Sequence, residues 1–504
     1  MTAPPHPISR ETLSRIPRDR LVSFLSGRRW FGAKGETPAE VRVAAVIPVL
    51  EPDERSAMAV VEVSLAAGPR RYLLPIVVRR RDQLENTDTD ALIAELGDTD
   101  ELVVDATGDA RFRQRFAELL HRGARVATDD GALSLEPVSS GIAWPASPSR
   151  VGTAEQSNTS IIYGDRAILK LFRRLEPGES PDVEISRFLT TRTDFRNVPA
   201  LLGIARLTIG DDHMVGGMVS EFLPGSGDAW SHALERVGAY LGAPRTADPP
   251  NPFAAEMAEL GRVTRALHEA LASHPEDPAF PAVPVGHADL DRWAESTRAS
   301  IARGLDVLES QLRAGRLKGQ TLAIAEATIK RRAGVVSRVN EVLADPRSAR
   351  DTGRKTRHHG DYHLGQVLRT RDGRWMVIDF EGEPTRPLEE RRAPNSPLRD
   401  VAGMLRSFAY AAASGAMTAG GLGRDSVLET RAARWERAAR MSFVDAYLEA
   451  LPTATTPVPV ADRDYVDGLV TLFEIEKVFY ELAYELGNRP DWVWIPLRGI
   501  AKLF

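Results

Sequence analysis

The residues with the most chemical potential form one short block, His359-Gly360-Asp361-Tyr362-His363-Leu364-Gly365-Gln366, followed by Val377-Ile378-Asp379-Phe380-Glu381. Moving a phosphoryl group from a nucleotide asks little covalent work of a protein. Cations on the phosphates, oxygen ligands for a metal and a base on the acceptor hydroxyl suffice. Where this chemistry occurs, the base and one metal ligand share a loop with D-x-x-x-x-N spacing, and a second metal carboxylate stands in a D-F-G-like sequence. Asp361 and Gln366 keep that spacing, with Gln in place of Asn, and Asp379 occupies the second sequence. Asp361 is therefore the expected base. Gln366 and Asp379 are the expected ligands of Mg2+, an amide carbonyl and a carboxylate of the hard-oxygen kind magnesium prefers. The plain alternative, a His/Asp turn beside a core strand, does not account for the spacing, the apolar strand and the terminal Asp together. His359 is read as holding the loop backbone by hydrogen bonds, and His363 as either reaching the acceptor or packing.

A phosphate-gripping cation is expected upstream. Ile168-Leu169-Lys170-Leu171-Phe172 places one lysine in an apolar strand, where it needs a partner, and Glu184 on the following helix is the expected one. The segment Glu155-Gln156-Ser157-Asn158-Thr159-Ser160 stands where a phosphate-covering loop belongs. It has no G-x-G-x-x-G, so Ser157, Asn158 and Thr159 would supply the donors. Val219-Ser220-Glu221-Phe222-Leu223-Pro224-Gly225 reads as a hinge, with Glu221 and Leu223 offering backbone to adenine. ATP and Mg2+ are the cofactors this set calls for.

These residues need a scaffold of two kinds. Residues 1 to 98 hold strand-like alternations. Val41–Leu50 is one, and Met58–Leu65 pairs with Arg71–Val78 as a hairpin across 66–70. The acidic stretch 85–102 reads as a connector. From 99 to 223 a helix over Ala110–His121 precedes two strands within Ser160–Phe172, turned at Gly164-Asp165. A helix then starts with Ser180 as N-cap and Pro181 at its first position. Beyond 231 helical periodicity dominates, with 297–345 reading as a pair of long helices. The fold class expected is α+β: a bilobal, protein-kinase-like arrangement with a β-rich N-terminal cap subdomain (1–98), an intermediate lobe (99–223) and a mostly helical C-terminal lobe (224–504).

At these residues the chain resembles the actinobacterial maltokinases, relatives of the aminoglycoside phosphotransferase-like branch of the kinase superfamily. The resemblance includes Arg28-Arg29-Trp30-Phe31-Gly32-Ala33-Lys34-Gly35, Glu155–Ser160, Leu169–Arg174, His359–Gln366, Asp379–Pro384, Ser396–Ser407 and Asn488-Arg489-Pro490-Asp491-Trp492. It implies ATP-dependent phosphorylation of maltose at its anomeric hydroxyl, giving maltose 1-phosphate for α-glucan synthesis. It also gives weight to one helix face. At roughly 100° per residue, Glu474, Lys477, Tyr480, Glu481, Tyr484, Glu485 and Asn488 fall on one arc of about 140°. Taken alone, that face reads as solvated. Within the resembling segment its residues Lys477, Tyr480, Glu481, Tyr484, Glu485 and Asn488 become an expected sugar site, joined by Arg489, His363 and Glu381. Asp400 and Arg406 are expected to brace the loop by an ion pair. Trp30 and Phe31 are read as core residues.

Composition narrows the remaining classes. The chain is 43% hydrophobic and 27% charged, with a net charge of -5 and no cysteine. Nucleic-acid binding lacks its basic footprint, and disulfide frameworks, thiolate metal sites and thiol nucleophiles are excluded. No apolar run approaches the ~18 residues a membrane span needs. A cytoplasmic monomer or weak oligomer is expected, acting on a small sugar, with no nucleic-acid or membrane partner. Two rivals stand beside maltose: a kinase of another sugar such as glucosamine on the same scaffold, and a silent pseudokinase scaffolding a trehalose synthase-like partner.

Overall fold

The computed structural model describes residues 8–33, 36–49, 55–83, 91–96, 100–145, 148–152, 157–244, 250–344, 353–420, 425–449 and 462–504. Lys34-Gly35, Glu155-Gln156 and parts of the 85–102 connector lie outside them. The chain forms two compact units, Met1–Arg192 with Pro199–Pro224, and Thr193–Val198 with Gly225–Phe504.

The first unit is built on two antiparallel sheets. One runs in the order Glu40–Pro48, Ser56–Leu65, Gly68–Arg80, Glu101–Asp105, Leu92–Glu95. The expected hairpin is present, but its register joins Leu65 to Gly68, so its loop is shorter than 66–70. Both faces of the Ser56–Leu65 strand are covered, which explains its almost continuous apolar run. Ala57, Ala59, Val61 and Val63 pack with Leu21, Phe24 and Leu25 of the helix Arg18–Ser26, while Met58 and Val60 face the core shared with Phe112, Phe116 and Leu169. Within 85–102, residues 92–95 and the start of Glu101–Asp105 are strand rather than connector, so this sheet continues past 98 to Asp105.

The other sheet runs Arg125–Thr128, Gly131–Pro137, Leu201–Ile209, Asp212–Glu221, Ala167–Phe172, Asn158–Tyr163, Ser149–Val151. The two strands expected within Ser160–Phe172 pair from Tyr163 with Ala167 onward, and the helices Ala110–His121 and Pro181–Arg192 stand where the spacing placed them.

The second unit is helical around a three-stranded sheet, Gly227–Asp228, Val367–Arg369 and Trp375–Val377. Its long helices pack in pairs: Ser426–Leu448 on Pro252–Leu271, and Arg463–Asn488 on both His287–Arg313 and Leu398–Thr418. The segment 297–345 holds parts of three helices, not two: His287–Arg313, Gly319–Lys330 and Arg332–Ala344. The helix with the polar arc is not the last, since Trp494–Leu503 follows it. Among the described residues no helix is long and apolar enough to cross a membrane.

Candidate active site

The loop 358–366 is held from behind by buried side chains. Asp400, 1% exposed on the helix Leu398–Thr418, accepts from the backbone N–H of His359 (2.8 Å) and of Gly360 (2.9 Å). His268 lies against the same carboxylate at 3.0 Å and reaches the Tyr447 hydroxyl at 2.8 Å through its other nitrogen. His359 Nε2 donates to the Ile378 carbonyl at 2.9 Å, and its Nδ1 accepts from the Asp361 amide at 3.3 Å. One imidazole thus ties the loop to the strand end that carries Asp379, as expected of a structural histidine. Gly360 has φ +83°, a conformation L side chains disfavour, and a Cβ there would sit 3.2 Å from Gly382 Cα. Gly403 allows the bracing helix to come close, since a Cβ on it would lie 2.6 Å from the Tyr362 carbonyl oxygen. The expected Asp400–Arg406 pair does not form. Asp400 braces the loop without Arg406, which turns to Glu481.

Asp379 follows the strand Trp375–Val377 with φ +68°, a left-handed backbone rarely adopted away from glycine and concentrated at functional positions. Gln366 Nε2 donates to Asp379 Oδ2 at 2.9 Å. The two expected metal ligands are therefore adjacent. With the amide turned about its last torsion, they present two hard oxygens side by side, which fits Mg2+.

Beside Asp361 opens a cavity of about 330 Å³ lined within this unit by Asp361, Glu383, Arg386, Arg399, Glu476, Lys477 and Tyr480, among others. Lys477 Nζ donates to Asp361 Oδ1 at 3.3 Å and to Glu383 Oε1 at 2.9 Å. Burial opposes the charge on Lys477, but Glu383 and Asp361 more than compensate and hold its pKa above the ordinary lysine value. Burial likewise raises the Glu383 carboxyl, yet Lys477 and Arg386 bring it down to about 2. Arg399 reaches Glu476 at 3.1 Å, and Arg386 reaches Glu383 at 2.8 Å.

Of the expected sugar residues only Lys477 and Tyr480 line this cavity. Tyr484 is 44% exposed and stacks on Tyr480 with ring centres 6.5 Å apart. The others lie outside the cavity lining. Glu481 accepts from buried Arg406 at 2.7 Å. The Glu485 side chain is 1% exposed and is bound by Tyr410 (3.2 Å) and Arg489 (2.6 Å). Arg489 is spent on that pair and on the rings of Tyr484 and Trp492. Asn488 donates back to the Tyr484 carbonyl at 2.9 Å. Glu481 and Glu485 face the helix Leu398–Thr418, so their charges are matched internally, whereas Asn488 and Arg489 are exposed and bond within their own helix end. His363 Nδ1 accepts from the Gly365 amide at 3.0 Å and so shapes the loop, with Nε2 3.9 Å from Asp361. Glu381 does not line the cavity, and its backbone carbonyl accepts from Arg391 at 3.2 Å. Glu383, Arg386, Arg399 and Glu476 escaped the sequence reading. Glu383 lay within Asp379–Pro384, Arg399 within Ser396–Ser407, and Glu476 adjoins Lys477, so proximity to named residues was the signal available for these three.

In the first unit, Lys170 Nζ lies 3.1 Å from Asp182 Oδ2, a buried partner not anticipated beside Glu184. Ser157 precedes and Asn158 begins the strand Asn158–Tyr163, with Asn158 Nδ2 donating to Ser157 Oγ at 3.3 Å. Thr159 points away from this set. It pairs across the sheet with Leu171, whereas Lys170 pairs with Ser160, so the Thr159 side chain lies on the face opposite Lys170 and accepts from Arg173. Glu221 ends its strand with its N–H on the Ala200 carbonyl, Phe222 donates to the Arg166 carbonyl, and Leu223 lies next to Pro224, where the unit ends.

With this geometry in place, comparison with known proteins gives two family matches. Residues 24–109 match the maltokinase N-terminal cap domain, and residues 153–451 match the phosphotransferase enzyme family. A glucosamine kinase of Streptacidiphilus jiangxiensis is 29% identical over 406 residues, 79% of this chain and 81% of the relative. A glucosamine kinase of Mycolicibacterium smegmatis is 28% identical over 354 residues, 70% of this chain and 78% of the relative. A glucosamine kinase solved with glucosamine, ADP and inorganic phosphate shares the fold, with a TM-score of 0.65 at 23% identity over 96% of this chain and 99% of that one.

Proposed function

The chain belongs to the phosphotransferase enzyme family, and from that premise we propose that this sugar kinase transfers the γ-phosphate of ATP to the anomeric hydroxyl of maltose, giving maltose 1-phosphate for α-glucan synthesis. Asp361 orients the acceptor hydroxyl and takes its proton, and Lys477 fixes the direction of that carboxylate. Lys170 grips the nucleotide phosphates, with Ser157, Asn158 and the Glu221–Leu223 hinge as further nucleotide contacts. Asp379 and Gln366 would hold Mg2+, which supplies positive charge to the phosphate oxygens when bound.

One observation carries the choice of acceptor. In the cavity beside Asp361, Asp361 and Glu383 are matched by Lys477, Glu383 also by Arg386, and Glu476 by Arg399. A cationic acceptor would have to compete with these ion pairs for its counter-charge. Neutral hydroxyls can bridge such pairs by donating to a carboxylate and accepting from a guanidinium. Tyr480 lines the cavity and Tyr484 continues outward from it, a surface suited to the apolar face of a second pyranose.

The second reading is glucosamine, the acceptor in the names of the two curated relatives, with Glu383 as the natural counter-ion for an amino group. Maltose, glucosamine and glucose offered separately with ATP and Mg2+ decide between them, the phosphate position being fixed by 31P and 1H NMR. Maltose 1-phosphate is expected. Turnover of glucosamine without turnover of maltose replaces the reading with the second one, and no ADP release with any of the three sugars leaves the pseudokinase.

A further inference from the structure

The cap sheet and the strand that opens the nucleotide segment meet at one buried cation. The strand Ala167–Phe172 belongs to one sheet of the first unit, and Arg174–Leu175 pairs with Arg71 and Tyr72 of the other. Arg173 is the residue at which the chain changes sheets, and it is 2% exposed. Its backbone carbonyl accepts from the Leu73 N–H at 2.8 Å. Its guanidinium then divides its donors between the two sides. Nη2 meets Asp105 Oδ2 at 2.8 Å and Thr107 Oγ1 at 3.2 Å, both at the end of the cap sheet. Nε donates to Thr159 Oγ1 at 2.8 Å, next to Ser157 and Asn158. The Trp30 ring covers the guanidinium at 5.1 Å, and Trp30 is fixed in turn against Tyr72, whose hydroxyl donates to the Phe31 carbonyl at 2.8 Å. Thr107 also donates to Asp105 at 2.6 Å, so the cluster is closed on the cap side.

A buried arginine with a matched carboxylate is a costly way to fill a core, and apolar residues of similar volume often do as well or better for stability. What a planar fork adds is direction, because several donors at fixed angles set the relative placement of the groups they hold. We propose that Arg173 is a positioning residue: clamped by Asp105, Thr107 and the Trp30 ring, it sets the start of the Asn158–Tyr163 strand, so that the cap is a brace for the nucleotide-covering segment. The cap motif around Trp30 then contributes to the reaction through ATP binding and not through the sugar. This inference rests on the reading of Ser157 and Asn158 as nucleotide contacts.

The test measures equilibrium binding of a non-hydrolysable ATP analogue, together with KM for ATP and for the sugar, in Thr159→Val, Trp30→Ala and Arg173→Met. Arg173→Met/Asp105→Asn is included because the single variant leaves a buried carboxylate unpaired and can fail to fold, which the double variant relieves. Weakening of nucleotide binding by about tenfold is expected in all of them, the scale of one lost charge-assisted hydrogen bond. The KM for the sugar should stay within about twofold, and Thr159→Val should add little on top of Arg173→Met/Asp105→Asn because both cut the same link. Lys170→Ala is the control for the underlying reading. If Lys170→Ala weakens nucleotide binding while Trp30→Ala and Arg173→Met/Asp105→Asn, folded, bind it as the parent does, the brace is overturned. If Lys170→Ala also binds normally, the nucleotide assignment itself falls.

Discussion

Replacing Glu383 by Gln tests the charge arrangement of the cavity most directly. Glu383 accepts from Lys477 at 2.9 Å and from Arg386 at 2.8 Å, with 15% of its side chain exposed. Burial raises its carboxyl, but the two cations bring it from the ordinary 4.5 to about 2. That difference corresponds to stabilisation on the order of 3 kcal/mol of the folded state. A depressed folded-state pKa contributes stability that is complete above the unfolded value and is lost as pH falls toward the folded one. The contribution is therefore present in full above about pH 5, and about 2 kcal/mol of it is gone at pH 3. Glutamine keeps the shape but does not titrate. Urea unfolding followed by tryptophan fluorescence at pH 7, 5, 4 and 3 should show parent and variant separated by a constant amount down to pH 5, then converging. Other carboxylates titrate in both proteins and largely cancel in the difference. A stability difference that stays flat from pH 7 to pH 3 would refute the assignment of Lys477 and Arg386 as the partners that hold Glu383 ionised.

Three further outcomes are expected. Asp400→Asn leaves one oxygen where two loop amides and His268 converge, so stability should fall by about 2 kcal/mol, with turnover reduced more than nucleotide affinity, read by thermal melts beside steady-state kinetics. Gly403→Ala forces a methyl against the Tyr362 carbonyl and should cost roughly 1–3 kcal/mol and displace the loop, seen as faster amide exchange over 358–366 with little change at Lys170. Asp379→Asn preserves a residue tolerant of the left-handed backbone but removes the carboxylate charge, so melting should be nearly unchanged while the Mg2+ needed for half-maximal turnover rises at least about tenfold.

The local features were legible because short-range geometry creates them. The spacing from Asp361 to Gln366, the apolar strand ahead of Asp379 and the lysine at position 170 each express contacts between near neighbours, and Gln366 does lie against Asp379. The hairpin and the helices at Ala110 and Pro181 follow from the same kind of signal. Partner choice was not legible. The arc on the helix Arg463–Asn488 is polar by sequence, yet Glu481 and Glu485 are paired with Arg406 and Arg489, while Glu383 and Arg386 from a distant loop join Lys477 in the cavity. Periodicity says which side chains share a face, but whether that face meets water, a ligand or another helix depends on packing between segments far apart in the chain. The same holds for Arg173, which the sequence shows only as one more basic residue after a strand. Its role comes from Asp105, Thr107, Trp30 and Thr159, which converge on it because the chain changes sheets there. Phosphoryl-transfer chemistry was readable from residue types and spacing, because a handful of closely spaced donors defines it. The tertiary structure decided which charges are free to meet a substrate, because a buried charge must first be paired within the protein.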